Sequence, residues 1–149
     1  MTATTHAIIG TVIAAKIGNP ALAIPLALAS HYVVDAIPHW DTSYKRREKK
    51  KKDFFNQTVL DFGLGLVVSY VLIQVLFPMT NLPYAFFMII MAQLPDWLVA
   101  PYLFLDWNFP PFNWIYKLGK VFDLHLGPPW GVVNQFAIAA AVIIFGRMF

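Results

Sequence analysis

The sequence predicts an all-α fold: a polytopic integral membrane bundle of about five helices, the first two forming a helical hairpin. Three observations carry this expectation. The chain is 58% apolar and only 13% charged, against roughly 25% charged residues in an ordinary soluble domain. Its apolar segments include runs long enough to span a bilayer, for which about 20 residues suffice. Seven of its eleven Lys and Arg residues lie between Lys45 and Lys52, so the rest of the chain is almost free of positive charge. A length of 149 residues suits one transmembrane domain covering 1–149.

The elements follow in order. An apolar helix over 4–17 is broken by Gly18-Asn19-Pro20, a turn signal. A second helix over 20–37 completes the hairpin. Pro25 falls early in it, where a missing N–H is tolerated. Residues 42–53 form a basic loop. A spanning run over 54–77 meets a short turn at Pro78-Met79-Thr80-Asn81, and a second run covers 82–105 with Pro95 and Pro101 inside it. The segment 106–130, rich in aromatics, Pro and Gly, reads as interfacial, with an amphipathic helix around 114–122. The last span is 131–148. Trp40, Trp97, Trp107, Trp114 and Trp130 read as interface anchors.

Lys/Arg-rich short loops stay cytoplasmic. This expectation sets the N-terminus inside and the C-terminus outside a multi-pass protein of the inner (plasma) membrane. The basic run Lys45–Lys52 is chiefly a topological anchor. It also suits contact with anionic lipid headgroups, at roughly 1 kcal/mol per basic residue near the surface. No nucleic-acid partner is expected. The first residues carry no basic n-region or cleavage site, so no removable signal peptide is expected.

The polar residues inside the apolar runs are the functional suspects, because ionisable groups are costly there. His31, Asp35, His39 and Asp41 lie within eleven residues. His6 precedes Asn19 by thirteen positions and His31 follows it by twelve, so both stand roughly 18–20 Å from the turn. Asp35 shares the face of His31 at i, i+4. Asp61 and Asp96 precede and follow Thr80 by nineteen and sixteen positions. They therefore fall about 28 Å and 24 Å from that turn, again near the cytoplasmic ends. His125 follows on the same side as a less certain addition, and Asp106 and Asp123 read as solvated interface residues.

Imidazole and carboxylate together are the donor set for divalent metal. The metal set is read as His6, His31, Asp35 and His39, joined by Asp61. Asp41 and Asp96 are the candidate catalytic bases for a metal-activated water. Zinc is the expected ion, with manganese or iron as alternatives, and seven to eight such ligands would suffice for two ions. Taken singly, a His–Asp pair at i, i+4 also serves as a packing hydrogen bond, so only the shared depth points to metal. The expected chemistry is hydrolysis of a phosphoester or related ester at the headgroup layer. A metal- or proton-coupled transporter and a non-enzymatic membrane scaffold subunit are the alternatives. The outer halves of the helices hold few ionisable groups besides Lys16, which argues against a polar path across. The only Glu is Glu48, so a His-Glu-x-x-His protease is excluded. Neither a phosphate-binding Gly-Lys-Ser/Thr loop nor a Gly-x-Ser-x-Gly elbow is present. The chain has no Cys, which removes thiolate ligation.

These residues also resemble a known family. Thr5-His6-x-x-x-Gly10, the block Ser30-His31-x-x-x-Asp35-x-x-Pro38-His39-x-Asp41 and Leu94-Pro95-Asp96 look like the membrane-bound metal-dependent hydrolases of the LexA-regulated, YdjM-like group. They are more distantly similar to zinc-dependent phospholipase C proteins, which also use His-x-x-x-Asp ligands. The resemblance runs through motifs and not through continuous similarity. It implies metal-dependent hydrolysis and a bacterial-type inner membrane.

Overall fold

A computed structural model describes residues 1–149. The fold is all-helical: α1 (Ala3–Lys16), α2 (Pro20–Asp35), α3 (Lys51–Leu76), α4 (Leu82–Phe104), α5 (Phe112–Phe122) and α6 (Trp130–Met148). A single 3-10 turn, Arg46–Glu48, lies in the basic loop. No sheet forms; one isolated parallel bridge joins His39 to His125.

Helix α1 is the centre of the bundle. Its residues Thr5 to Ala14 are buried without interruption, as expected of a helix apolar on every side. It packs against α2, α3, α4 and α6. Gly10 makes the α4 contact close: a Cβ there would stand 2.8 Å from the Met88 carbonyl oxygen and 2.9 Å from the Ile89 Cα. The N-terminus of α1 is held by polar side chains of three neighbours. Asp61 of α3 accepts from the amides of Ala3 (2.7 Å) and Thr4 (3.2 Å) and from the Thr4 hydroxyl (2.7 Å). Gln93 of α4 donates to the Ala3 carbonyl, and Gln135 of α6 accepts from the Thr2 amide. The bonds to Asp61 and Gln135 satisfy amide donors that an α-helix leaves orphaned at its start.

The Gly18-Asn19-Pro20 turn reverses the chain. Asn19 caps α2 by accepting from the Ala21 amide, and Pro20 occupies the first helical position, where no N–H is needed. The Tyr84 hydroxyl donates to the carbonyl of Ile17 and ties the turn to α4.

Three helices, α3, α4 and α6, are long and apolar enough to cross a membrane. Helices α1 and α2, at 14 and 16 residues, extend only about 21 and 24 Å against a hydrocarbon core of about 30 Å. The hairpin is thus a wedge carried by longer helices. The outer faces of the long helices expose Leu60, Val75, Phe136 and Ile144, a surface that suits lipid rather than water. Helix α3 starts three residues before the apolar run, with Lys51, Lys52 and Asp53 forming its charged first turn. Helix α5 is strongly amphipathic and lies across the end of the bundle that carries the basic loop, touching α2 and α4.

Candidate metal centre

The hairpin brings His6 and His31 together. Their rings stack with centroids 3.9 Å apart and planes 18° from parallel. Helix α4 supplies the third wall. The His31 Nδ1 donates to the Ala92 carbonyl at 2.9 Å, which leaves the lone pair on Nε2. That Nε2 stands 3.3 Å from Asp35 Oδ2 and 3.6 Å from Asp96 Oδ1. His6 Nε2 lies 3.3 Å from Asp35 Oδ1, and neither ring nitrogen of His6 has a hydrogen-bond partner. Donor atoms of His6, His31 and Asp96 lie within 4.8 Å of one another.

A second set forms where two loops pair. The His39 amide donates to the Leu124 carbonyl (3.0 Å), the Leu126 amide donates to the His39 carbonyl (2.6 Å), and the Leu124 amide donates to the Asp35 carbonyl (3.1 Å). This short extended pairing sets His39 beside His125. Donor atoms of His39, Asp41, Asp123 and His125 again lie within 4.8 Å of one another. His39 Nδ1 donates to the Ile37 carbonyl at 2.8 Å, so its Nε2 lone pair faces inward. It stands 3.5 Å from Asp123 Oδ1 and 3.7 Å from Asp41 Oδ2. His125 Nε2 is 3.0 Å from Asp41 Oδ1 and 3.3 Å from Asp123 Oδ1. Asp41 is fixed by its own turn, accepting from the amides of Ser43 (2.8 Å) and Tyr44 (3.0 Å). Gly131 lets α6 start against this pairing; a Cβ there would meet Trp40 N at 2.7 Å.

Asp35 lies between the two sets. Its Oδ1 is 3.3 Å from His6 Nε2 and 4.0 Å from His39 Nε2, and it also pairs with the Met1 α-amino group. The centre therefore gathers Asp35, Asp41, Asp96 and Asp123 around four imidazoles. For His31 and His39 the inward nitrogen is the lone-pair nitrogen, and it faces carboxylate oxygen. Two electron-rich atoms at that range repel unless a cation lies between them. The separations from these two nitrogens, 3.3 to 4.0 Å, include about 3.4 Å, the edge of a tetrahedron with bonds of about 2.1 Å, the usual range for Zn–N and Zn–O. Both ring nitrogens of His6, His39 Nε2 and Asp123 Oδ1 are buried without hydrogen-bond partners, which buried polar atoms rarely are. The donor set thus fits divalent metal.

Without metal, a proton is the alternative cation. Burial alone would lower the pKa of His39, but the carboxylates of Asp123 and Asp41 more than reverse this and raise it to about 9. Burial pushes Asp41 and Asp123 up, yet the facing imidazoles of His125 and His39, with Lys120 beside Asp123, hold both carboxylates below their ordinary value.

Of the residues singled out from the sequence, His6, His31, Asp35, His39, Asp41 and Asp96 meet in this centre. Asp61 lies in neither set, since its carboxylate holds the N-terminus of α1. Asp123 and His125, read as a solvated residue and an uncertain one, complete the second set. A signal for them was present: in Asp123-Leu124-His125 the two side chains share a face if the segment is extended.

The centre opens into a cavity of about 690 Å³, within the usual range for small-molecule sites. His31, Asp35, Asp41, Asp96, Asp123 and His125 line its floor, and Lys45, Arg46 and Arg47 line its mouth. Compared with protein-family models, curated proteins and solved structures, the chain has no match.

Proposed function

We propose that this chain is a membrane-embedded, metal-dependent hydrolase of the YdjM-like group that acts on a phosphoester or related ester at the cytoplasmic membrane face. The observation that carries this reading is the pair of His/Asp sets joined by Asp35 at the floor of one open cavity. His6, His31 and Asp35 would hold one ion, with Asp96 at its edge. His39, Asp41, Asp123 and His125 would hold the second, with zinc as the expected metal and manganese or iron as substitutes. When bound, such ions polarise a phosphoryl oxygen and make water acidic enough to ionise near pH ~7.

The protein groups have separable tasks. The His31 and His39 rings are oriented by donating to the carbonyls of Ala92 and Ile37. Asp96 has a half-exposed side chain on the cavity wall, so it is placed to take a proton from the attacking water. Asp41 is held by two backbone amides beside His125, which suits positioning better than proton transfer. Arg46 and Arg47 at the mouth supply charge for an anionic ester. The basic loop supports an inner-membrane protein with this mouth facing the cytoplasm.

The test is turnover of bis(p-nitrophenyl) phosphate by the full chain in detergent. Chelation is expected to abolish it, and zinc or manganese to restore it. Asp96→Asn is expected to lower it roughly 10²–10⁴-fold, the usual contribution of a general base. Turnover indifferent to chelation and to Asp96→Asn would overturn the reading.

A further inference from the structure

The apolar wall of the cavity is more than a soluble ester needs. Helix α3 packs on α1 and barely meets α4 along its length. Both line the cavity. On α3, Phe55, Val59 and Phe62 recur at i, i+4, i+7, and on α4, Trp97, Ala100 and Phe104 at i, i+3, i+7, so each trio forms one stripe. All six line the cavity. The stripes meet through aromatic side chains at two levels. Phe62 meets Trp97 edge-on with centroids 4.7 Å apart, and Phe55 meets Phe104 edge-on at 5.3 Å. Between these levels lie the smaller Val59 and Ala100. Phe55, Val59 and Trp97 are each close to half exposed, on helices long enough to cross a membrane. The gap therefore faces the hydrocarbon of a bilayer and leads inward to the His/Asp floor.

We infer that the gap between α3 and α4 is a lateral portal through which an anionic membrane lipid with a phosphate headgroup enters from the bilayer. Its phosphate lies between the His/Asp floor and Arg46/Arg47, and its acyl chain leaves past Val59 and Ala100. Charge and apolarity are arranged for this occupant: Arg46 and Arg47, beside the Lys45–Glu48 pair, stand at the mouth, and an uncharged aromatic frame stands at the side. Arg46 is held in place by its carbonyl contact with Leu103 and its position over the Phe54 ring. The cavity volume accommodates a headgroup and the start of a chain, not a whole lipid, so the rest of the chain stays in the membrane. That this lipid is the substrate rests on the hydrolase reading; that its phosphate can face the carboxylate floor rests only on metal being bound there.

The experiment uses the full chain in vesicles containing phosphatidic acid with a photoactivatable group on its acyl chain, with crosslinks mapped by mass spectrometry. Crosslinks are expected to concentrate at Phe55, Val59 and Ala100. Ala100→Trp or Val59→Trp should reduce them roughly tenfold, the loss expected from excluding two methylenes of chain. Leu60→Trp, on the outward face of α3, should keep the wild-type pattern. Crosslinks spread evenly over α3, α4 and α6, or unchanged by both portal variants, would overturn the portal. Portal crosslinks without turnover of phosphatidic acid or bis(p-nitrophenyl) phosphate would uphold the portal and remove the hydrolase reading.

Discussion

Gly10 links the packing of the bundle to the geometry of the centre, so Gly10→Ala probes both. The new methyl carbon would face the Met88 carbonyl oxygen at 2.8 Å, Ile89 Cα at 2.9 Å and Ala92 Cβ at 3.1 Å. The first two are backbone atoms of α4 and cannot rotate away. Restoring ordinary contact at 3.4 Å moves α4 outward by about half an ångström, and overpacking of this kind costs about 1–3 kcal/mol. The same helix carries the Ala92 carbonyl that orients His31, Gln93 that binds Ala3, and Asp96 itself. A misplacement of about 1 Å can cost 10²-fold in rate, so half of it is expected to cost about tenfold. Thermal unfolding in detergent should show the loss of stability, and phosphoester turnover the loss of activity, with the helical content intact. A variant as stable and as active as the wild type would refute the argument that α1 and α4 are rigidly apposed at Gly10.

In Gly131→Ala the methyl group would meet the Leu126 carbonyl oxygen and Trp40 N, so the His39–His125 pairing should open; metal analysis should find the second ion lost and the first retained. Asp61→Ala removes three bonds to the start of α1 and should destabilise the protein by about 1–3 kcal/mol while leaving the metal count unchanged. For metal-free protein, His39 titrates at about 9 when folded against about 6.5 when unfolded. Its contribution to stability is therefore complete below about 6.5 and disappears as pH rises through about 9; denaturation against pH should show this decline, and His39→Gln should flatten it. Metal binding must displace that proton, so calorimetry in buffers of different ionisation enthalpy should report proton release near neutral pH.

The all-helical class was legible because its physical cause is compositional: few charges, gathered in one loop, and long apolar runs. The hairpin was legible for a different reason, since Gly18-Asn19-Pro20 combines a turn with a cap and a helix start. Once the turn is placed, rise per residue brings His6 and His31 to one height, and the structure stacks their rings. Rise per residue says nothing about azimuth. Asp61 shares the level of the centre yet points at the N-terminus of α1, because Ala3 and Thr4 present unpaired amides there. Asp123 and His125 were obscured by the opposite circumstance: they sit outside any span, where depth arithmetic does not apply. Only the long-range pairing of residues 39 and 125 brings them in. The proposed portal was illegible as well, since the sparse contact of α3 with α4 follows from how both pack on α1.

Counting divalent ions per chain in protein purified without chelator tests directly whether the two His/Asp sets joined by Asp35 bind metal. About two ions are expected in the wild type, one after His6→Ala, one after the paired change His39→Ala/His125→Ala, and weakened retention of both after Asp35→Ala. Wild-type protein without bound metal, or a count unchanged by these substitutions, would contradict metal binding there.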